Sequence, residues 1–161
     1  MPNPSLLCSC PADRLGGTAR LLLVLLRVAV GWVFLWASIH HFGDHAYIGA
    51  FLRGTATFHA VYAPLARPGL LPFVYVAVEY GQIAVALSLL TGFCFRLGAV
   101  AGIVTLAAYW TANMQFPFIE SVDNLLVDEH VVYALVLALL ISLRAGSVFG
   151  LQGWLSGRLG R

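Results

Sequence analysis

Long apolar runs separated by short polar connectors set the pattern of this chain. Residues 21–42, 70–90, 97–116 and 125–143 are each predominantly apolar, and each approaches the length of about 20 residues that an α-helix needs to cross a hydrocarbon core. The pattern predicts an all-α fold, an integral membrane four-helix bundle. The first run is longer than the roughly 7–15 residues of a signal-peptide core and ends in His40-His41-Phe42-Gly43 rather than a small-residue cleavage site, so it reads as a retained helix.

The connectors carry their own pattern. Residues 43–69 are too many to be structureless in a compact domain. Within them Phe51, Thr55, Phe58 and Tyr62 recur at helical spacing, which predicts a short interfacial helix ended by Pro64 and Pro68. The second connector is tight, with Gly92 suited to a left-handed helix end. Gly98 and Gly102 form a G-x-x-x-G that lets the third helix approach a neighbour closely. Residues 117–123 are short and acidic, which makes the last pair of helices a hairpin. After Arg144, the run Val148, Leu151, Trp154, Leu155 with Arg158 and Arg161 predicts an amphipathic surface helix. The organisation is a flexible leader (1–18), a helical membrane domain (19–145) and an amphipathic tail (146–161). Trp36 and Phe42 match Trp110 and Phe116 in spacing at the ends of two parallel runs, a faint sign of a duplicated hairpin.

Composition supports the membrane setting. The chain is 60% hydrophobic and 10% charged with a mean hydropathy of +0.87, against about a quarter charged in soluble domains. The formal charge of +2 rests on arginine alone, and so weak a basic balance does not indicate nucleic acid. Arg14, Arg20, Arg27, Arg96, Arg144, Arg158 and Arg161 fall on one side if both termini are cytoplasmic, as the positive-inside bias favours. Arg53 and Arg67 oppose it. Arg27, inside the first helix, is expected to snorkel to the headgroups. Cys8 and Cys10 then lie in a reducing compartment and read as part of a reduced tail rather than a metal site.

With alternating helices, most acids and histidines converge at one membrane face. Glu79 lies about 13 Å into its span at 1.5 Å per residue, where an acid costs about 2.5–3.5 kcal/mol and needs a partner or a cavity. Its alternatives are proton handling and structural glue. Tyr75 and Gln82 share its face. Only one of the adjacent His40 and His41 can point inward, and the Ser38 face selects His41. Tyr109 and Asn113 are one turn apart, with Trp110 beside them. His130 and Tyr133 lie deeper in the last helix than a dipole-stabilised first-turn acid, and at most two of Asp128, Glu129 and His130 can serve one site. The expected catalytic groups are Glu79, His130 and His41. His40, Tyr75, Gln82, Tyr109, Trp110, Asn113 and Tyr133 are the expected cofactor contacts. Such a cluster suits a quinone pocket, one haem or a proton-coupled carrier. No flavin, iron–sulfur, c-type haem or metal-ligand motif is present.

Leu26-Arg-Val-Ala-Val-Gly-Trp-Val-Phe-Leu-Trp-Ala-Ser-Ile-His40 resembles the opening helix of the DoxX/DoxD family. Leu89-Leu-Thr-Gly-Phe-Cys-Phe-Arg-Leu-Gly98 is similar to its short connector between helices two and three. Asn124-Leu-Leu-Val-Asp-Glu-His-Val-Val-Tyr133 and Gly150-Leu-Gln-Gly-Trp154 look like its last helix and tail. The resemblance spans roughly residues 20–155. It implies a four-helix protein of a bacterial or archaeal plasma membrane and a quinone-interacting subunit of thiosulfate:quinone oxidoreductase type. It also implies membrane lipid and further membrane subunits as partners. The alternatives are a non-catalytic anchor or assembly subunit of a respiratory complex and a small proton-coupled transporter. The resemblance assigns no catalytic residue, so the site residues rest on the cost of polar groups in hydrocarbon.

Overall fold

The computed structural model describes residues 15–112, 116–117, 127–151 and 153. Among these the chain is entirely helical, with six α-helices and no strand. They are α1 (Gly17–His40), α2 (His45–Gly54), α3 (His59–Tyr62), α4 (Leu71–Thr91), α5 (Phe95–Ala112) and α6 (Glu129–Ser142), with 3-10 turns at Ala63–Ala66 and Ala145–Ser147. Helices α1, α4 and α5 are long and apolar enough to cross a membrane, and α6 is a shorter apolar helix of 14 residues.

Local chemistry sets the helix ends. Pro72 sits in the first turn of α4, where its missing N–H costs nothing. Gly92 ends α4 in the left-handed region at φ 71°, as its place in the sequence predicts. Asp128 caps α6, its Oδ1 accepting the His130 backbone N–H at 3.3 Å. That cap explains why α6 begins at Glu129, whereas apolarity alone places the start at 125. The 43–69 connector also departs from expectation. Asp44 accepts the Tyr47 N–H at 3.0 Å and starts α2, and α2 stops at Gly54. The stripe of Phe51, Thr55, Phe58 and Tyr62 is therefore split between two short helices. The leader, Cys8, Cys10, Asn113 and most of the expected tail helix lie outside the described residues.

Helix α1 packs along α4, α4 against α5, and α5 along α6, while α1 and α6 touch sparsely. Val30 and Phe34 of α1 meet Val85 and Leu89 of α4, Ala99 and Leu106 of α5, and Leu137 and Leu140 of α6 in one core. The G-x-x-x-G of α5 is used as its spacing suggests. A Cβ on Gly98 would collide with the Ser88 side chain of α4, and one on Gly102 would lie 2.9 Å from Leu137 of α6. Outward faces are as apolar as inward ones, with Phe73, Leu97 and Leu135 at 74%, 73% and 67% exposure. Helices hydrophobic all round belong in a large core or a membrane.

Arg27 turns inward rather than toward headgroups. Its side chain is buried at 2% exposure, and Nη1 donates to the carbonyls of Ala145 and Val148 at 2.9 and 3.1 Å. It thereby pins the turn after α6 to α1. The Ala145 carbonyl also accepts the Val148 backbone N–H at 3.2 Å, within the turn itself. Nη1 therefore adds a second donor there and supplies one to the Val148 carbonyl at the turn's end. Arg27→Met keeps the bulk and removes the donors. At about 1–3 kcal/mol for a buried acceptor left unpaired, here the Val148 carbonyl, it should cost about 1–3 kcal/mol in unfolding of the purified protein. Limited proteolysis should cut the 145–148 turn first, and unchanged stability with an intact turn would show the clamp to be dispensable.

Candidate functional site

The polar ends of α1, α4, α5 and α6 meet under α2, and a cavity of about 460 Å³ lies between them. Val33, Phe34 and Ala37 line it from α1 and His41 from that helix's C-cap, and Val78 and Gln82 from α4. Thr105, Leu106 and Tyr109 come from α5, and Glu129, His130 and Tyr133 from α6. Tyr47, Ile48 and Phe51 of α2 form its roof. This volume falls in the range of about 300–1,000 Å³ usual for small-molecule sites.

Two polar pairs give the cavity its chemistry. His130 Nδ1 lies 2.9 Å from Asp128 Oδ2. The buried carboxylate fixes the ring and favours the proton on Nδ1, which leaves Nε2 as the free nitrogen. Gln82 Nε2 donates to the Tyr109 hydroxyl oxygen at 3.1 Å, so the Tyr109 proton is left to donate elsewhere. The Tyr109 and His130 rings stack with centroids 6.0 Å apart, which places a hydroxyl donor beside an oriented imidazole. Across the cavity His41 stacks on Tyr47 at 4.4 Å, an almost parallel pair that presents flat surface. Asp128, Glu129 and His130 also bring one ligand atom each within 4.8 Å of one another. Two carboxylates around an oriented histidine give the same spacing.

Glu79 is close to this cavity but does not line it. Its side chain is buried, and Oε1 accepts the Gly43 backbone N–H at 2.9 Å. Gly43 has φ 79°, a left-handed turn that a side chain would strain, so glycine allows the amide to face the carboxylate. His45 Nε2 lies 3.7 Å from the same oxygen, with its side chain 55% exposed. That contact is a water-screened attraction and only when His45 is protonated. His45 also stacks on Tyr75 at 4.1 Å. Glu79, Tyr75 and His45 together hold the turn from which α2 folds back over the cavity.

The sequence-derived site residues therefore separate. His41, Gln82, Tyr109, His130 and Tyr133 line one cavity. Glu79 and Tyr75 brace the roof turn instead. His40 is exposed and stacks on Trp36 at 6.2 Å, outside the cavity. Trp110 packs edge-on against Phe116 at 4.9 Å, and it too is absent from the lining. Asn113 lies outside the described residues. Sequence reasoning placed Phe51 on a short interfacial helix but did not assign it to the site, and it missed Tyr47 and Ile48. The signal was present in Gly43-Asp44, a helix-ending glycine followed by an N-cap, which starts α2 at His45 and puts Tyr47 and Phe51 one turn apart.

Comparison with protein-family models, curated proteins and solved structures finds no match to this chain.

Removing the Glu79 carboxylate takes the side-chain acceptor from the Gly43 N–H and frees an exposed turn from α4. Glu79→Ala should destabilise the protein by about 1–3 kcal/mol and speed hydrogen exchange at Gly43. Glu79→Gln keeps an acceptor and should cost less than about 1 kcal/mol. Equal effects of the two substitutions would contradict the bracing role.

Proposed function

We propose that this chain is an integral membrane protein whose long apolar helices α1, α4 and α5, together with the shorter α6, cross the bilayer with both termini cytoplasmic. The cavity under α2 then binds the head of a membrane quinone, in a subunit of an oxidoreductase of the thiosulfate:quinone type. The single observation carrying this reading is the pairing of the Gln82-supported Tyr109 hydroxyl with the Asp128-oriented His130 in a cavity whose other walls are mostly aromatic and aliphatic. The resemblance of the chain to the DoxX/DoxD family agrees with it. So do the three helices of spanning length and the apolar outward faces.

The residues fit a quinone head. A quinone presents carbonyl oxygens that accept hydrogen bonds and a flat ring that stacks. Tyr109 donates its free O–H to one carbonyl. His130 Nε2 accepts a proton from a quinol hydroxyl or returns one to the quinone, and the Asp128 carboxylate stabilises the imidazolium formed in between. His41 and Tyr47 offer a stacked wall, and Phe34, Phe51 and Tyr133 exclude water. The quinone, when bound, supplies coupled electron and proton transfer. Since the sequence holds no flavin, iron–sulfur or c-type haem motif, the electrons come from a partner subunit that carries the sulfur chemistry. The host is a bacterial or archaeal plasma membrane, as the family resemblance implies. Glu79 sits beside the cavity rather than in its lining, with Oε1 bonded to the Gly43 amide, so the proton transfer is assigned here to His130.

Quinone extracted from the purified protein tests this. Wild-type chain should retain it through mild detergent. His130→Ala should lower occupancy on the order of tenfold, matching the roughly 1.5–3 kcal/mol of a charge-assisted hydrogen bond. Trp110→Phe should leave occupancy unchanged. A wild-type protein that never carries quinone, or variants that lose it only by unfolding, would favour the reading of an anchor subunit.

A further inference from the structure

The manner in which the cavity opens limits what can occupy it. On helices α1, α2 and α6 the lining residues Val33, Tyr47 and Glu129 are exposed to the outside. The mouth therefore lies where α1 faces α6, beneath the start of α2. These two helices are the loosely joined pair, since α1 packs along α4 and α6 along α5. Val33 lies two turns before His41, about 12 Å along the axis at 1.5 Å per residue. The opening thus runs down the flank of the helices, as well as up toward their polar end. The inner wall and the mouth differ in character. Gln82, Tyr109 and His130 carry the hydrogen-bonding groups within. Beyond the lining residue Val33, Leu26 and Leu22 continue the same face of α1, an apolar stripe at 36%, 39% and 55% exposure. The stripe extends for about 16 Å at the helical rise.

We infer that the cavity takes its ligand sideways, as an amphiphile whose polar ring sits against Gln82, Tyr109 and His130 and whose hydrocarbon tail leaves between α1 and α6 along Val33, Leu26 and Leu22. This rests on the quinone reading above and narrows it to lipid-soluble, tailed quinones. A tail placed there remains in contact with hydrocarbon, so docking does not drag it through water. A head site reached only from the helix ends would favour a water-soluble, tail-free ligand instead.

Val33→Trp places a bulky ring in the mouth without touching the polar inner wall. Leu97→Trp adds the same bulk on α5 at a position 73% exposed and away from the cavity. Binding of a tail-free dimethoxybenzoquinone and of its decyl-tailed counterpart is measured on the full chain in lipid nanodiscs, counted above empty discs. The ratio of tailed to tail-free affinity should fall about tenfold or more in Val33→Trp, roughly one decade of binding constant, and should hold in Leu97→Trp. Unfolding midpoints confirm that both variants fold, and a misfolded Val33→Trp is replaced by Val33→Phe. If both quinones bind the variant as they bind wild type, the sideways mouth is wrong while the quinone site stands. An equal loss of both would place the added ring in the head site and overturn the inference. If neither quinone binds wild type, the quinone reading fails and this inference fails with it.

Discussion

A carboxylate buried among apolar helices has to be satisfied from within the protein, and the bond between Glu79 and the Gly43 amide is how this chain does it. An ionised group left without a partner in such surroundings costs several kcal/mol, so the contact determines the direction in which the chain leaves α1. The left-handed Gly43 turns the amide toward α4, Asp44 caps the next helix, and α2 folds back across the polar helix ends. From that one turn follow the roof residues Tyr47, Ile48 and Phe51 and the stacking of His41 on Tyr47. Arg27 meets the same demand at the opposite end, with the carbonyls of Ala145 and Val148 as its partners. The helices are thus fastened by a buried acid at one end and a buried base at the other, each bonded to backbone rather than to an opposite charge.

This division of labour shapes the proposed chemistry. The charged residues placed deepest in the helices are committed to holding turns, and the Glu129 carboxylate lies at the exposed mouth of the cavity. The inner wall is left with milder groups: a tyrosine hydroxyl, an amide and an imidazole. Each of these is oriented by a neighbour. Gln82 turns the Tyr109 oxygen into an acceptor so that its proton is free, and Asp128 leaves His130 with one open nitrogen. Asp128 serves twice, because its other oxygen caps α6 and fixes where that helix begins. On the proposed reading, the loosely packed seam between α1 and α6 joins these groups to the hydrocarbon layer.

Much of the helical frame was legible in the sequence, because twenty-residue apolar runs and their glycine ends are local signals. The choice of His41 over His40 was also legible, since adjacent helical residues point about 100° apart. Gln82, Tyr109, His130 and Tyr133 were found by asking what a polar group does in an apolar helix. Arg27 answered that question differently from expectation, and Glu79 makes the kind of bond that its structural alternative called for. Their partners are backbone groups, which leave no mark on side-chain identity, and for Arg27 they lie 118 and 121 positions away. The roof was misjudged for a local reason. The aromatic stripe across residues 51–62 was read as one helix, while Gly54 and Thr55 interrupt it. Tyr75 was grouped with the site for sharing the face of Glu79, and Trp110 and His40 for sharing its end of the molecule. Instead Tyr75 and His40 stack on His45 and Trp36, and Trp110 packs edge-on against Phe116.

The central claim is that an oriented tyrosine–histidine pair in this cavity holds a quinone head. Photolabelling of the full chain in native-like membranes with an azidoquinone, followed by mapping of the labelled peptides, addresses it most directly. The account predicts label concentrated on the peptides carrying Tyr109 and His130 and displaced by excess unlabelled quinone. Label spread over the outward apolar faces of α1, α4 and α5, and not displaced by competitor, would contradict it.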